Sequence, residues 1–306
     1  MNKEQRNGHL ALAGANMMWG MMAPISKYVM SAGLVGSLIL TDVRIFGAAV
    51  LFWITSFFVK HEKVEKRDFI RLFFASLFAI VLNQGVYITG VSMTSPVDAS
   101  IITTSLPIVA MIISAFYLKE PVTAKKVGGV LLGAAGALLL VFGNNIVSGN
   151  MPSVSGTGTE SNLLGDLLCF LAQCSYAIYI VVFKDLIGRY SPVTLMKWMF
   201  TFASLVMIPF TIKDFIATPW QTLPLDQYSG VGFVLFCGTF LCYMIVPIGQ
   251  RSLRPTLVAM YNYMQPIVST LIAVLWGMDR FNLLKIVAIF LVFSGVFLVN
   301  SSKARN

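Results

Sequence analysis

The chain has 306 residues, 57% of them hydrophobic and only 11% charged, with a formal net charge of +9. Soluble domains carry about 25% charged residues, so this chain has too little polar surface to cover a water-soluble fold, and its mean hydropathy of +0.79 agrees. Soluble α/β enzymes, nucleic-acid binders and secreted disulfide scaffolds are excluded, and the composition is that of an all-α, polytopic integral membrane protein.

A bilayer core takes about 20 apolar residues per helix. Ten such runs follow one another near 9–29, 34–59, 69–90, 95–118, 124–142, 163–183, 193–213, 229–250, 255–276 and 283–300. Span one holds Asn16, Trp19, Pro24 and Lys27. It is preceded by Lys3 and Arg6 and followed by Ser31-Ala32-Gly33, as a signal peptide would be; because the same pattern recurs mid-chain, a retained helix is expected. In span two Arg44 lies near the middle, where a charge costs about 2.5–3.5 kcal/mol on insertion scales. It should face a polar interior, either tied to carbonyls or a carboxylate or anchoring an anionic group of the substrate. Asp42 sits about 200° away around the same helix and is a poor partner for it. Lys27 and Lys197, near span ends, read as interface anchors.

Span three carries Asn83, Gln84 and Tyr87. Ser95-Pro96-Val97-Asp98 reads as a capping box opening span four. Pro107 lies within that span, and Glu120 closes it with Lys125 or Lys126 as the expected partner. Span five is almost free of polar residues, and its Gly129-x-x-x-Gly133 face predicts tight helix packing, within the chain in preference to a homodimer contact. Residues 143–162, rich in Gly, Ser and Asn with no Lys or Arg, read as an extracytoplasmic linker. Span six holds Gln173 and Tyr176, span eight Tyr243, and span nine Tyr261, Asn262, Tyr263 and Gln265 just before Pro266. Cys169, Cys174, Cys237 and Cys242 all fall in apolar runs, each pair about 140° apart on a helix, and read as small buried residues. His9 and His61 stand alone, so neither a metal nor a cofactor is expected, and no nucleotide-binding Gly-x-x-x-x-Gly-Lys-[Ser/Thr] loop occurs. That leaves a proton or solute gradient as the drive for any transport.

Cytoplasmic loops carry the excess of Lys and Arg. With the N-terminus inside, sixteen of these residues fall in inside segments, and only Lys213, Arg280 and Lys285 outside; both termini are expected in the cytoplasm. The basic residues sit in short loops with no interleaved aromatics, unlike a nucleic-acid surface.

The chain also repeats. An offset of 157 lays Gly8 on Gly165, Asn16 on Gln173, Trp19 on Tyr176 and Lys27 on Lys184. An offset of 159 lays Gly90 on Gly249, Pro96 on Pro255, Pro107 on Pro266, Glu120 on Asp279, Lys126 on Lys285 and Gly136 on Gly295. Five spans is an odd number, so the two halves, 1–142 and 163–306, would enter the membrane from opposite sides as an inverted-topology repeat, an architecture of secondary transporters.

Over nearly its whole length the sequence resembles the EamA branch of the drug/metabolite transporter superfamily. The residues that carry the likeness are Trp19-Gly20 with Pro24, Arg44, the run Thr94-Ser95-Pro96-Val97-Asp98-Ala99-Ser100, Pro107 and the closing Glu120-Pro121-Val122-Thr123. A weaker copy, Pro255, Pro266 and Asp279, occurs in the second half, which departs from the pattern at Asp279-Arg280. The resemblance implies ten helices in a 5+5 inverted repeat, a solute path between the halves, and export of amino acids and related metabolites across the bacterial inner membrane.

The residues themselves suggest the substrate-binding set Asn16, Trp19, Arg44, Asn83, Gln84, Tyr87, Gln173, Tyr176, Tyr243, Tyr261, Asn262 and Gln265, with Pro24, Pro107 and Pro266 as hinges. Amides, hydroxyls and rings suit a small polar metabolite or zwitterion. Two other readings stay open: an organic-anion carrier using Arg44, and a lipid or amphiphile flippase. No paired Asp, His/Glu cluster or Ser/Lys dyad lies at mid-depth, so an intramembrane enzyme is disfavoured.

Overall fold

The computed structural model describes residues 3–30, 35–93, 102–147, 163–275 and 283–302. In chain order these form α1 (Lys3–Met30), α2 (Ser37–Ser56), α3 (Lys66–Ser76), a π-helical segment (Leu77–Val86), α4 (Tyr87–Met93), α5 (Leu106–Tyr117), α6 (Ala124–Val147), α7 (Leu163–Val182), α8 (Lys184–Arg189) and α9 (Pro192–Ala217). There follow α10 (Leu225–Leu235), a second π-helical segment (Phe236–Leu241), α11 (Cys242–Ser252), α12 (Pro255–Met260), a 3₁₀ turn (Tyr261–Tyr263), α13 (Met264–Leu275) and α14 (Leu283–Asn300). Among the described residues there is no strand. Among the described residues six stretches are long and apolar enough to cross a bilayer: Ser37–Ser56, Lys66–Gly90, Leu163–Val182, Pro192–Ala217, Leu225–Ser252 and Leu283–Asn300. The capping box at Ser95–Asp98, the Asp279 position and most of the linker lie outside the described residues, while α6 runs on to Val147, past the expected end near 142.

The chain forms two compact units, each drawing on both sequence halves: Met1–Gly85 with Phe183–Ser252, and Val86–Val182 with Leu253–Asn306. In the first, α1 packs on α11 and α9 on α2 and α3; in the second, α14 packs on α6, and α7 on α4 and α5.

Small residues set these contacts, as expected where apolar lipid gives helices no hydrophobic drive to associate. In the first unit α1 crosses α11 at Gly8 and Gly249: a β-carbon on Gly249 would stand 2.9 Å from the Gly8 carbonyl oxygen. In the second, α4 crosses α7 at Gly90 and Gly165, where a β-carbon on either glycine would stand 2.8–2.9 Å from the other's carbonyl oxygen. The offsets lay Gly8 on Gly165 and Gly90 on Gly249, so one glycine crossing is made once in each unit. The α6/α14 contact is reciprocal in the same register. A β-carbon on Gly129 would meet the Gly295 carbonyl at 2.7 Å, and one on Gly136 would meet the Ala288 carbonyl at 2.7 Å; position 129 matches 288, as 136 matches 295. The Gly129/Gly133 face is thus used inside the chain, with Gly133 against Tyr263 and Met260.

Charged residues fix the ends. At the end of α5 the Glu120 amide donates to the Ser114 carbonyl at 3.2 Å and Lys119 takes the left-handed conformation, φ 52°, which ends the helix. Glu120 then meets Lys126, Oε2 to Nζ 2.6 Å, with both side chains buried; of the two expected partners, Lys126 is the one used. Its repeat counterpart Lys285 is buried as well. In the first unit Asp68 accepts hydrogen bonds from Arg189 and the Tyr190 hydroxyl, both at 2.7 Å, and the Ser191 amide donates to Glu62 at 2.8 Å, where Ser191-Pro192 caps α9. Lys197 lies 4.5 Å from the Trp53 ring centroid, a cation–π contact.

Candidate functional site

The two π-helical segments begin at Leu77 and Phe236, positions related by the 159 offset. A π-turn inserts one residue into the helical ladder and re-aims side chains and carbonyls, often at functional sites. In the second segment the Thr239 hydroxyl donates to Val234, five residues back, at 2.9 Å. Two side chains from other helices hydrogen-bond to this segment: Trp19 of α1 donates its indole N–H to the Gly238 carbonyl at 2.9 Å, and Arg44 of α2 donates Nε–H to the Thr239 hydroxyl at 2.9 Å. The first segment supplies Gln84, whose amide donates to the Tyr243 hydroxyl at 2.9 Å; these two positions are themselves matched by the 159 offset. Around the Tyr243 ring, Trp19 packs edge-on at 5.7 Å and Phe200 at 5.0 Å between centroids.

Arg44 is held by protein yet only half-buried. Among the described residues no carboxylate lies in ion-pair range of it, and the groups whose electrostatics reach it are Tyr243 and Cys242. Gln84 is buried, and its carbonyl oxygen Oε1 has no hydrogen-bond partner. Among the described residues, the cluster therefore offers a cation without an ion-pair partner, an amide oxygen without a donor and aromatic faces. Asn16, buried one turn from Trp19, spends an amide N–H on the Leu12 carbonyl at 2.9 Å, and Asn83 lies half-buried in the first π segment. Pro24 is within α1.

The other sequence-selected residues lie in the second unit. The Tyr87 and Thr103 hydroxyls are 3.3 Å apart. Gln173 and Tyr176 are buried on α7, the Tyr176 ring 5.8 Å from that of Tyr179. Tyr261 is buried and Asn262 half-buried in the 3₁₀ turn, and Gln265 donates to Asn262 at a long 3.5 Å. Pro107 and Pro266 each follow a break in helical winding: Pro107 opens α5 after the turn at 104–105, and Pro266 sits in α13 just after the 3₁₀ turn. The Tyr263 hydroxyl donates to the Thr104 carbonyl at 2.9 Å, joining the two breaks.

Thr239 and the Gly238 carbonyl are the functional groups that sequence reasoning passes over. A threonine and a glycine in an apolar run carry no signal of their own. All four cysteines are free, and among the described residues no group of three or more His, Cys, Asp or Glu could hold a metal.

The model of the EamA-like transporter family matches the chain twice, over residues 6–142 and 163–301. The chain belongs to the EamA-like transporter family. It is thus a transporter, not an enzyme by family, and a multi-pass protein of the bacterial inner membrane. The chain is 20% identical to the uncharacterized transporter YetK of Bacillus subtilis, over 99% of this chain and 89% of that protein. It is 26% identical to an uncharacterized transporter of Archaeoglobus fulgidus, over 76% and 75%, and 24% identical to a WAT1-related protein of Arabidopsis thaliana, over 92% and 81%. A solved crystal structure superposes with a TM-score of 0.76 at 16% identity, covering 96% of this chain and 98% of the other, which speaks for the fold.

Proposed function

We propose that this EamA-family protein is a secondary transporter that exports small zwitterionic metabolites, amino acids or close relatives, by alternating access, with Arg44 receiving the substrate carboxylate. The observation that carries the reading is Arg44 itself: a guanidinium at mid-span on a part-buried residue, hydrogen-bonded to a threonine hydroxyl and, among the described residues, paired with no carboxylate. A carboxylate is the group a bare guanidinium binds best, through paired hydrogen bonds. Gln84 Oε1, buried without a donor, then suits the ammonium of the same substrate, and the Trp19 and Tyr243 rings suit its side chain. Asn16 and Asn83 extend this polar lining within the same unit; for Tyr87, Gln173, Tyr176, Tyr261, Asn262 and Gln265 a substrate-binding role is proposed from the sequence pattern.

The proposed frame is ten spans in two inverted halves, 1–142 and 163–306, joined by an extracytoplasmic linker, with both termini cytoplasmic. The twice-made glycine crossing, the matched π segments and the positive-inside count support it. Pro24, Pro107 and Pro266 are its proposed hinges, and a proton or solute gradient its drive.

The test is counterflow of labelled amino acids and of organic acids lacking an amine, in proteoliposomes of the full chain. Arg44→Ala is expected to abolish amino-acid counterflow and Arg44→Lys to keep part of it, while Gln84→Leu should weaken amino acids more than simple organic acids. Amine-free acids as good as amino acids in the intact protein would favour the organic-anion reading. Normal amino-acid counterflow by Arg44→Ala would overturn the assignment of Arg44.

A further inference from the structure

Away from the Arg44 cluster, α2 and α9 enclose a cavity of about 140 Å³ lined by Asp42, Ile45, Met207, Thr211 and Phe215, among others. Its walls are apolar but for two hydroxyls, Ser204 and Thr211, and one ionisable group. Phe46, Ile208 and Ile212 also line it and are exposed, so the cavity opens sideways, where an apolar helix surface meets lipid.

Asp42 is the ionisable group. The residue is 8% exposed, and its carboxyl oxygen Oδ2 has no hydrogen-bond partner. The polar group beside it is the Thr211 hydroxyl, within hydrogen-bond range of the carboxyl; its single proton is shared with the Met207 carbonyl at 3.0 Å. The other charge acting on Asp42 is Asp214, itself an acid. Among the described residues no Lys or Arg forms an ion pair with Asp42. A buried carboxyl oxygen without a donor is costly, and a packing role would be filled better by an apolar residue. What is missing is a cationic N–H donor carried on an apolar body. Asp42 lies five residues into α2, about 7.5 Å along the axis, so the cation would sit towards one end of the helix. An apolar cavity of about 150 Å³ holds one benzene ring.

We propose that this cavity is a binding site for membrane-partitioned arylalkylammonium ions, monoamines with a single aromatic ring, whose ammonium pairs with Asp42 while the ring fills the space between Ile45, Met207 and Phe215. The site is separate from the Arg44 cluster and does not depend on the function proposed for it.

The probe is benzylamine, titrated by calorimetry into the full chain in lipid nanodiscs, with empty nanodiscs subtracted and benzyl alcohol as the neutral isostere. The intact protein is expected to bind benzylamine at least about tenfold more tightly than benzyl alcohol. Asp42→Asn should remove that preference, and Met207→Trp, which fills the cavity and keeps the carboxyl, should abolish binding of both. If Asp42→Asn does not fold, Met207→Trp decides. Arg44→Ala should bind benzylamine as the intact protein does. No binding by the intact protein, equal binding of amine and alcohol, or unchanged binding by Asp42→Asn or by Met207→Trp would each overturn the proposal.

Discussion

The α6/α14 contact makes the sharpest prediction about stability. Substituting Gly295→Ala places a β-carbon 2.5 Å from the Gly129 carbonyl oxygen, 2.7 Å from the Gly133 nitrogen and 3.0 Å from the Gly133 Cα. Ordinary contact begins at 3.4 Å, so the worst overlap is about 0.9 Å, and every obstructing atom is backbone. No rotamer change relieves it; the two helices must separate, losing dispersion contacts along the seam. Overpacking of this kind costs about 1–3 kcal/mol. The control is Gly128→Ala, where an added β-carbon meets nothing within 4 Å and alanine gains up to about 1 kcal/mol of helix propensity. Both variants share that gain, so their difference isolates the clash. The assay is unfolding of the detergent-solubilised protein by SDS, followed by circular dichroism. Gly295→Ala is expected about 1–3 kcal/mol below Gly128→Ala. Gly136→Ala should behave like Gly295→Ala, since its β-carbon meets the Ala288 carbonyl at 2.7 Å and the Val292 nitrogen at 2.9 Å. One separation of the helices relieves both clashes, so the double variant should fall short of the sum. If Gly295→Ala and Gly128→Ala unfold within about 0.5 kcal/mol of each other, measured against the propensity scale, the close-packed seam is refuted.

The buried pair Glu120–Lys126 predicts a cost of roughly 3–5 kcal/mol for Glu120→Gln, because Lys126 is left charged and unpaired; Glu120→Leu with Lys126→Met should recover most of it in the same SDS titration, and a double variant as unstable as the single one would contradict this. At the end of α5, Lys119 with φ 52° bears a left-handed penalty of roughly 1–2 kcal/mol that glycine escapes, so Lys119→Gly should raise the SDS midpoint and Lys119→Ala should not. Glu62 supplies a pH dependence. Burial by itself would raise its pKa, but hydrogen bonds from the Ser191 amide and the Ser191 and Thr194 side chains, with the charge of Arg251, outweigh it and hold the carboxyl below its ordinary 4.5. The stabilisation is therefore complete above pH 4.5 and lost as pH falls through the lower folded value. Midpoints measured from pH 6 downward, over a range of about 3 units set by ordinary carboxylate values, should fall less steeply in Glu62→Gln than in the intact protein.

Much of the candidate site was legible in the sequence residue by residue, and little of it as a constellation. Trp19, Arg44, Gln84 and Tyr243 stand out because polar groups inside apolar runs are expensive, and the first unit brings these four together. Tyr87, Gln173, Tyr176, Tyr261, Asn262 and Gln265 stand out for the same reason, yet they lie in the other unit. Thr239 was not legible: a threonine in a membrane helix commonly bonds its own backbone, and only the π segment turns this one towards Arg44.

By itself the sequence determined the class of the protein, the register of its internal repeat and the pairing of Glu120 with a nearby lysine. Composition fixes the solvent a chain must face, matched glycines and prolines survive as an offset, and a helix-end ion pair is local. Only the tertiary structure decided that Gly8 meets Gly249 and Gly90 meets Gly165, that π segments begin at Leu77 and Phe236, and that each compact unit takes helices from both sequence halves. In a bilayer the lipid-facing and helix-facing sides are both apolar, so periodicity does not say which helix lies opposite. That choice is made by how closely two backbones can approach where neither carries a side chain.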